Sequence, residues 1–155
     1  MKSILFVCTG NTCRSSMAEA LFKDLLAEKG YDLEVLSAGT HAMTGGKAAH
    51  NAKEAMGEKG LSLETHITQA LSRELIEKVD LILTMTKNHK ENVEFLVPES
   101  RGKVFTLREY VQDKNTWGGR LDIMDPFGQS VEVYRQSAGE IEENLIKLRK
   151  KLFGD

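Results

Sequence analysis

One stretch near the amino terminus limits most strongly what this chain of 155 residues can fold into. It begins with the apolar run Ile4–Val7, which is typical of a short strand buried in a parallel sheet. The segment Cys8–Ser15 follows it. A helical pattern comes next, because apolar residues recur every four positions at Met17, Leu21 and Leu25. The sequence therefore predicts a strand, a tight loop and a helix.

The loop has the features of an anion-binding site. Gly10 and Asn11 both tolerate positive φ, so the backbone amides around them can turn inward as a ring of donors. The following helix directs the positive end of its dipole at the same point. The residues predicted to bind the anion are Thr9, Gly10, Asn11, Thr12, Cys13, Arg14 and Ser15. A phosphate group is the ligand that this combination favours.

The same loop carries reactive side chains. Five residues separate Cys8 from Arg14, and Ser15 follows directly. A thiol beside a helix N-terminus ionises readily, and the thiolate is the nucleophilic form of cysteine. Arg14 offers a planar fork for two phosphate oxygens, and the Ser15 hydroxyl can donate to the thiolate. A buried structural cysteine and a surface arginine are the alternative. The flanking strand and helix favour the catalytic interpretation.

The segment Val7–Ser15 resembles the phosphate-binding loop of the low-molecular-weight protein tyrosine phosphatase family. Asp125–Gly128, with the sequence Asp-Pro-Phe-Gly, is similar to the stretch where that family keeps its general acid. Three further segments share the similarity: Ser37–Thr40, Thr65–Ile67 and Asp80–Met85. The resemblance thus spans nearly the whole chain. Ser16 departs from it, since most members have proline there, which implies slightly less rigidity but no loss of activity.

The resemblance implies roles for residues outside the loop. A thiolate attack on phosphorus needs a proton for the leaving group, and Asp125 is expected to supply it. Asp122 is the competing carboxylate, with a solvated loop residue as its alternative role. Asn11 is expected to hold the loop through side-chain hydrogen bonds, with Ser37 and His66 bracing it.

Position 12 indicates the substrate. The tyrosine phosphatases of the family typically have a bulky aliphatic residue there, whereas Thr12 resembles the subgroup that removes phosphate from arginine. A small polar residue favours a guanidinium, and a phenol ring would lose an apolar wall. Phe127 would supply the remaining aromatic wall. Asp125 would then both orient the guanidinium and help protonate the departing nitrogen.

These features predict a protein-arginine phosphatase that works through a phosphocysteine intermediate, with phosphotyrosine as the alternative substrate. The expected partners are phosphorylated protein substrates, with inorganic phosphate as product and no cofactor. A thioredoxin-coupled arsenate reductase shares the loop but needs further cysteines, and none follows Cys13. A phospho-ligand binding or redox sensor module is the remaining alternative. The complete set of nucleophile, clamp and acid argues against it.

Cysteine content and net charge limit the compartment and the binding partners that this chain can have. The two cysteines, Cys8 and Cys13, both lie in the loop, so no disulfide framework is expected and a reducing compartment, most simply the cytoplasm, is favoured. Cys13 is either a small buried residue or a resolving thiol that closes a disulfide with oxidised Cys8. A net charge of −2 argues against nucleic-acid or anionic-membrane binding. Neither a signal peptide nor a membrane span is expected.

The remaining histidines show no metal-site spacing. His41, His50 and His89 are scattered along the chain, and we expect all three at the surface. No metal site is therefore predicted.

Strands alternate with helices along the rest of the chain. Strands are expected near 33–38, 80–85 and 103–107, and helices from the loop to Gly30, at 47–59, 72–79 and 86–96, and from Val131 onward. This alternation predicts one α/β domain over residues 1–155, with helices on both faces of a parallel sheet. The resemblance implies the strand order 2-1-3-4. The polar stretch Asp113–Asp125 is long enough to be a functional loop. The last helix is predicted to pack on the sheet rather than to form a coiled coil.

Overall fold

The computed structural model describes residues 1–112 and 120–154. Its four parallel strands form one sheet in the order β2-β1-β3-β4, which confirms the predicted topology. The strands are β1 (Ser3–Cys8), β2 (Glu34–Gly39), β3 (Leu81–Thr84) and β4 (Val104–Thr106). Because parallel strands share one direction, the carboxyl ends of β1 and β3 lie side by side at one edge of the sheet. That edge carries the site described below.

The apolar run of β1 is continuous because helices cover both of its faces. All six residues of the strand are buried. Ile4 and Phe6 pack into the core on one side of the sheet, while Leu5 and Val7 belong to the core on the other side. A strand with only one buried face would show alternating polar residues instead. The structure therefore confirms the predicted position of β1 inside the sheet.

Six α-helices are present in the described residues. They are α1 (Arg14–Lys29), α2 (His50–Gly57), α3 (Arg73–Lys78), α4 (Lys87–Leu96), α5 (Leu107–Val111) and α6 (Val131–Phe153). α1 and α6 pack against each other on one face, and their apolar residues share one core with α2. Residues of α3 and α4 pack on the opposite face. α6 is thus a packed helix and not a coiled-coil strand. No described helix is long and apolar enough to cross a bilayer.

Three predicted helix boundaries depend on single residues. Gly30 ends α1 in the left-handed conformation, with φ of 66°. The Ser72 hydroxyl accepts a hydrogen bond from the amide of Leu75 at the start of α3. Thr86 does the same for the amide of His89 in α4. Local capping chemistry is therefore sufficient to locate these ends.

Other boundaries differ from the prediction. α2 begins at His50 rather than at Lys47, because Ala49 is extended and its amide donates to the carbonyl of Thr12 at 3.0 Å. α5 and a 3-10 helix at Pro98–Lys103 were not predicted. α5 begins at Leu107 after a capping box between Thr106 and Glu109, which shortens β4. Of the predicted functional loop, residues 113–119 lie outside the described part of the chain.

Candidate active site

The loop between β1 and α1 has the geometry of an anion cradle. Asn11 has a φ of 59° and is the one non-glycine residue with positive φ in the described chain. Cys13, at the N-cap of α1, makes no side-chain capping bond. The first amides of a helix have no partner within the helix, so here they stay available to a ligand. Ser16 donates its hydroxyl to the Cys13 carbonyl at 2.9 Å, where most family members are expected to have proline.

Asn11 is fixed by every polar atom of its side chain. Its Nδ2 donates to Ser15 Oγ at 2.8 Å and to Ser37 Oγ at 2.9 Å, while its Oδ1 accepts from the amide of Gln69 at 3.0 Å. Its own carbonyl oxygen lies 2.8 Å from Nε2 of His66. The side chain is fully buried. These bonds offset the cost of the left-handed backbone, so the loop keeps its shape without a ligand.

The same network reaches the sulfur of Cys8. Sγ of Cys8 lies 2.9 Å from Oγ of Ser15. Because Ser15 Oγ already accepts from Asn11, its own proton is free to point at the sulfur. This contact fixes the sulfur at the floor of the loop. The structure thus brings Asn11, Ser15 and Cys8 into one chain of hydrogen bonds.

Arg14 is almost completely buried beneath the loop, at 4% exposed. Its Nη1 donates to the carbonyl of Ile123 at 3.0 Å, and its Nη2 lies 3.5 Å from Oδ2 of Asp125. These contacts fix the plane of the guanidinium, and they come from residues that are distant from Arg14 in the sequence. Oδ1 of Asp125 accepts from the amide of Phe127 at 3.1 Å, which fixes the carboxylate in turn.

A pocket opens above these groups. It is lined by Cys8, Thr9, Gly10, Thr12, Cys13, Arg14, Asp125 and Phe127. The floor is buried, since Cys8, Cys13 and Arg14 are each at most 4% exposed. The mouth is open, with Asp125 53% and Phe127 69% exposed. A substrate whose phosphate group binds at the floor would have its leaving group between the residues at the mouth.

The chain as a whole is similar to known proteins. A family model described as low molecular weight phosphotyrosine protein phosphatase matches residues 3–155. The chain belongs to this family. It is an enzyme of the protein phosphatase class, and the predicted family membership is confirmed.

Three relatives show which kinds of phosphatase this chain is similar to. A protein-arginine-phosphatase of Bacillus subtilis is 47% identical over 152 residues, covering 98% of this chain and 97% of that protein. A solved YwlE arginine phosphatase mutant with a phosphorylated active-site serine has a TM-score of 0.91 and 46% identity, with 99% and 97% of the two chains covered. The Erwinia amylovora tyrosine phosphatase AmsI has a TM-score of 0.84 and 33% identity, with 97% and 92% covered. The chain is therefore similar to both arginine and tyrosine phosphatases.

Some supporting residues of the phosphatase loop were missed by the sequence analysis. Gln69 holds Asn11 with its amide and donates its side chain to the carbonyl of Ser37 at 2.9 Å. Ser37 donates to a carboxylate oxygen of Glu19 at 2.5 Å. A Cβ at Gly39 would collide with the carbonyl of Thr9, so only glycine lets β2 approach the loop this closely. The proximity of Gly39 and Gln69 to the loop had no local sequence signal.

The second cysteine of the phosphatase loop faces the interior. Sγ of Cys13 lies 3.2 Å from the hydroxyl of Tyr134 and 3.4 Å from Oγ1 of Thr12. Burial raises the pKa of the Cys13 thiol, although both hydroxyls oppose that shift. Both cysteines are free thiols. The role of Cys13 as a resolving thiol stays a prediction.

The two candidate carboxylates have different surroundings. Asp125 lines the pocket beside Arg14. Asp122 instead accepts from the amide of Lys87 at 2.9 Å, at the first residue of α4. Phosphatase chemistry needs its proton donor near the leaving group, so the geometry favours Asp125 as the acid. Within the described residues, no cluster of three His, Cys, Asp or Glu side chains could hold a metal ion.

The expectation that His89 lies at the surface is wrong, whereas His41 and His50 are exposed as expected. His89 is 4% exposed, and its Nε2 lies 2.8 Å from Oγ1 of Thr9. It is the third residue of α4. This helix follows β3, so it begins at the same edge of the sheet as the loop. Burial, with the Arg14 charge as a second cause, lowers the pKa of His89 to about 4.

This buried histidine predicts an acid-sensitive fold. An unfolded histidine titrates near its ordinary pKa of 6.5, so between pH 6.5 and about 4 the unfolded chain binds a proton that the folded chain does not. Stability should therefore fall on acidification through that window, by about 3 kcal/mol for this group. Urea unfolding at pH 7 and pH 4 measures it. His89→Gln should lose this part of the pH dependence, and an unchanged difference between the two pH values would contradict the prediction.

Proposed function

We propose that this phosphatase hydrolyses phosphoarginine in proteins through a phosphocysteine intermediate. The observation that carries the proposal is the pocket that has Cys8 and Arg14 at its floor and Asp125 at its mouth, where Thr12 and Phe127 form the walls. The products are the unmodified protein and inorganic phosphate. The two free thiols are consistent with a reducing compartment such as the cytoplasm.

The first step transfers the phosphoryl group to sulfur. The loop amides and the Arg14 guanidinium hold the three equatorial oxygens, where negative charge is stabilised without reorganisation. The Cys8 thiolate attacks phosphorus, so an S–P bond forms as the P–N bond breaks. Asp125, in its protonated form, gives its proton to the departing nitrogen. The Ser15 hydroxyl, 2.9 Å from the sulfur, holds the nucleophile in position for attack.

The second step releases phosphate. The Asp125 carboxylate, now deprotonated, takes a proton from a water molecule at the mouth of the pocket. The water oxygen attacks phosphorus as the S–P bond breaks, and the Cys8 thiolate is restored. One side chain thus acts as acid and then as base. The open position of Asp125 gives water access to it.

The walls of the mouth support the guanidinium substrate. Thr12 is half-buried and lines the pocket, and its short side chain presents no bulky apolar group to the leaving group. Phe127 offers an aromatic face on which a planar cation can stack. Asp125 adds a carboxylate acceptor for the guanidinium N–H groups. The similarity to the protein-arginine-phosphatase of Bacillus subtilis and to the YwlE arginine phosphatase mutant with a phosphorylated active-site serine supports the same assignment.

Phosphotyrosine is the second candidate, because the relative from Erwinia amylovora is a tyrosine phosphatase on the same fold. Steady-state kinetics on a phosphoarginine peptide and a phosphotyrosine peptide of the same sequence decide between them. A higher kcat/KM on phosphoarginine is the expected result. A preference for phosphotyrosine would overturn the proposal, and turnover of neither peptide would favour a phospho-ligand binding module.

Thr12→Ile should shift the substrate preference. The ethyl group that replaces the hydroxyl crowds the guanidinium and gives a phenol ring an apolar contact. A change of this kind at a pocket wall is worth roughly 1–3 kcal/mol, or about 10- to 200-fold. We expect kcat/KM to fall on phosphoarginine and to rise on phosphotyrosine. Thr12→Val is the matched control, because it removes the hydroxyl without adding bulk. Equal losses on both substrates would mean that Thr12 only supports the loop.

A further inference from the structure

A threonine and a histidine form a pair at the mouth of the pocket that the mechanism above does not use. Thr9 directly follows the nucleophile and lines the pocket. Its Oγ1 lies 2.8 Å from Nε2 of His89, which comes from α4, 80 residues further along the chain. Thr9 is exposed, whereas His89 is 4% exposed. The buried histidine therefore does not line the pocket itself, but it contacts Thr9, which does.

The surroundings of His89 keep its ring neutral. Its Nδ1 is buried and has no hydrogen-bond partner among the described residues. An imidazolium would carry a proton there, without an acceptor and near the charge of Arg14. Burial lowers the pKa of His89 most, and the charges of Arg14 and His41 lower it further. The carboxylates of Asp122 and Asp125 act in the opposite direction, and the resulting pKa is about 4. At neutral pH only one ring nitrogen carries a proton.

That proton is best placed on Nε2. A buried N–H without an acceptor is rarer in proteins than a buried acceptor without a donor, so Nδ1 is the unprotonated nitrogen. Nε2 then donates to Oγ1 of Thr9. This bond occupies one lone pair of the Thr9 hydroxyl and fixes the position of its oxygen. The second lone pair and the hydroxyl proton remain for a group in the pocket.

The group that Thr9 meets is the leaving group. A phosphoryl group attacked by Cys8 and bound by Arg14 would occupy the buried floor, whereas Thr9 is exposed, like Asp125 and Phe127 at the mouth. The leaving nitrogen of phosphoarginine carries neighbouring N–H donors that need acceptors. The ring of phosphotyrosine has no such donor beside its ester oxygen. A fixed hydroxyl at this point therefore benefits the first substrate more than the second.

We propose that Thr9 is a specificity-determining residue that accepts a hydrogen bond from the guanidinium of phosphoarginine, and that His89 is the positioning residue that holds its hydroxyl for this contact. The proposal rests on the proposed function and names further residues of its substrate site. Thr9, Thr12 and Asp125 then present oxygen atoms to the guanidinium around the mouth, and Phe127 presents a ring.

The test compares kcat/KM on matched phosphoarginine and phosphotyrosine peptides in a set of variants. Thr9→Val and His89→Phe each remove one side of the hydrogen bond, and the double variant removes both. Thr9→Ser keeps the hydroxyl and serves as the rescue. Thr40→Val is the matched control, because Thr40 makes a similar bond to His41, 3.0 Å from Nδ1, but does not line the pocket.

We expect the ratio of the two kcat/KM values, phosphoarginine over phosphotyrosine, to fall roughly tenfold in Thr9→Val, as for the loss of one hydrogen bond to a charged group. His89→Phe should give a similar fall and the double variant no further one. Thr9→Ser and Thr40→Val should keep the wild-type ratio. Circular dichroism checks the fold. Where His89→Phe does not fold, the comparison of Thr9→Val with Thr9→Ser at the exposed position decides.

An unchanged ratio in Thr9→Val, or equal losses on both peptides, would overturn the proposal, because the pair would then only brace the loop. Losses that multiply in the double variant would overturn the positioning role of His89. The wild-type enzyme reports separately on the proposed function: a preference for phosphotyrosine there refutes the phosphoarginine assignment, and this proposal with it. A wild-type preference for phosphoarginine with unresponsive Thr9 variants refutes this proposal alone.

Discussion

Cys8→Ser should lower kcat more than about 100-fold while leaving the binding of inorganic phosphate nearly intact. A serine hydroxyl is not ionised at neutral pH, so it is a much weaker nucleophile than a cysteine thiolate. The anion cradle is built from backbone amides and from Arg14, none of which depends on the sulfur. The measurements are steady-state turnover and product inhibition by inorganic phosphate.

The chain contains its own control for this substitution. Cys13→Ser makes the same chemical change in the same loop, but its sulfur contacts Tyr134 and Thr12 rather than the Ser15 hydroxyl. That variant should remain active. Residual activity of Cys8→Ser above about one per cent would show that another group attacks phosphorus. Loss of phosphate binding in Cys8→Ser would show that the sulfur also holds the loop.

Asp125→Asn should lower kcat on phosphoarginine by about 100- to 10,000-fold, the usual range for a general acid and base. An amide can neither protonate the departing nitrogen nor accept a proton from the attacking water. Phosphate binding should be maintained or strengthened, because the substitution removes a negative charge 3.5 Å from Nη2 of Arg14. Turnover and phosphate inhibition constants together test both statements.

A substrate with a good leaving group separates the two tasks of Asp125. An activated aryl phosphate needs no proton in the first step, so Asp125→Asn should release its aryl product in a burst and then turn over slowly as phosphocysteine accumulates. Asp122→Asn is the matched control, since the Asp122 carboxylate contacts the amide of Lys87 and not the pocket. A larger loss in Asp122→Asn than in Asp125→Asn would reverse the assignment of the acid.

The helix ends at Gly30, Ser72 and Thr86 were predictable from sequence because each depends on one residue and its immediate neighbours. Two helices were predicted wrongly or not at all, for different reasons. α2 starts late because Ala49 is bound to the carbonyl of Thr12. α5 is too short for a periodic pattern, although its capping box was present in the sequence. The sequence predicts helix ends that depend on local capping, but it does not predict contacts with distant residues that shift a helix end.

The sequence by itself determined the sheet order, through the resemblance, and the loop that joins Cys8 to Arg14, because strand, loop and helix signals are all local there. Only the tertiary structure decided which residues surround that loop. Arg14 is fixed by the carbonyl of Ile123, and Thr9 meets His89, because the carboxyl ends of β1 and β3 and the segment before α6 converge at one edge of the sheet. A histidine becomes buried, neutral and positioned only when other elements close over it. The burial of a polar side chain such as His89 depends on the packing of distant elements, and its neighbours in sequence do not encode it.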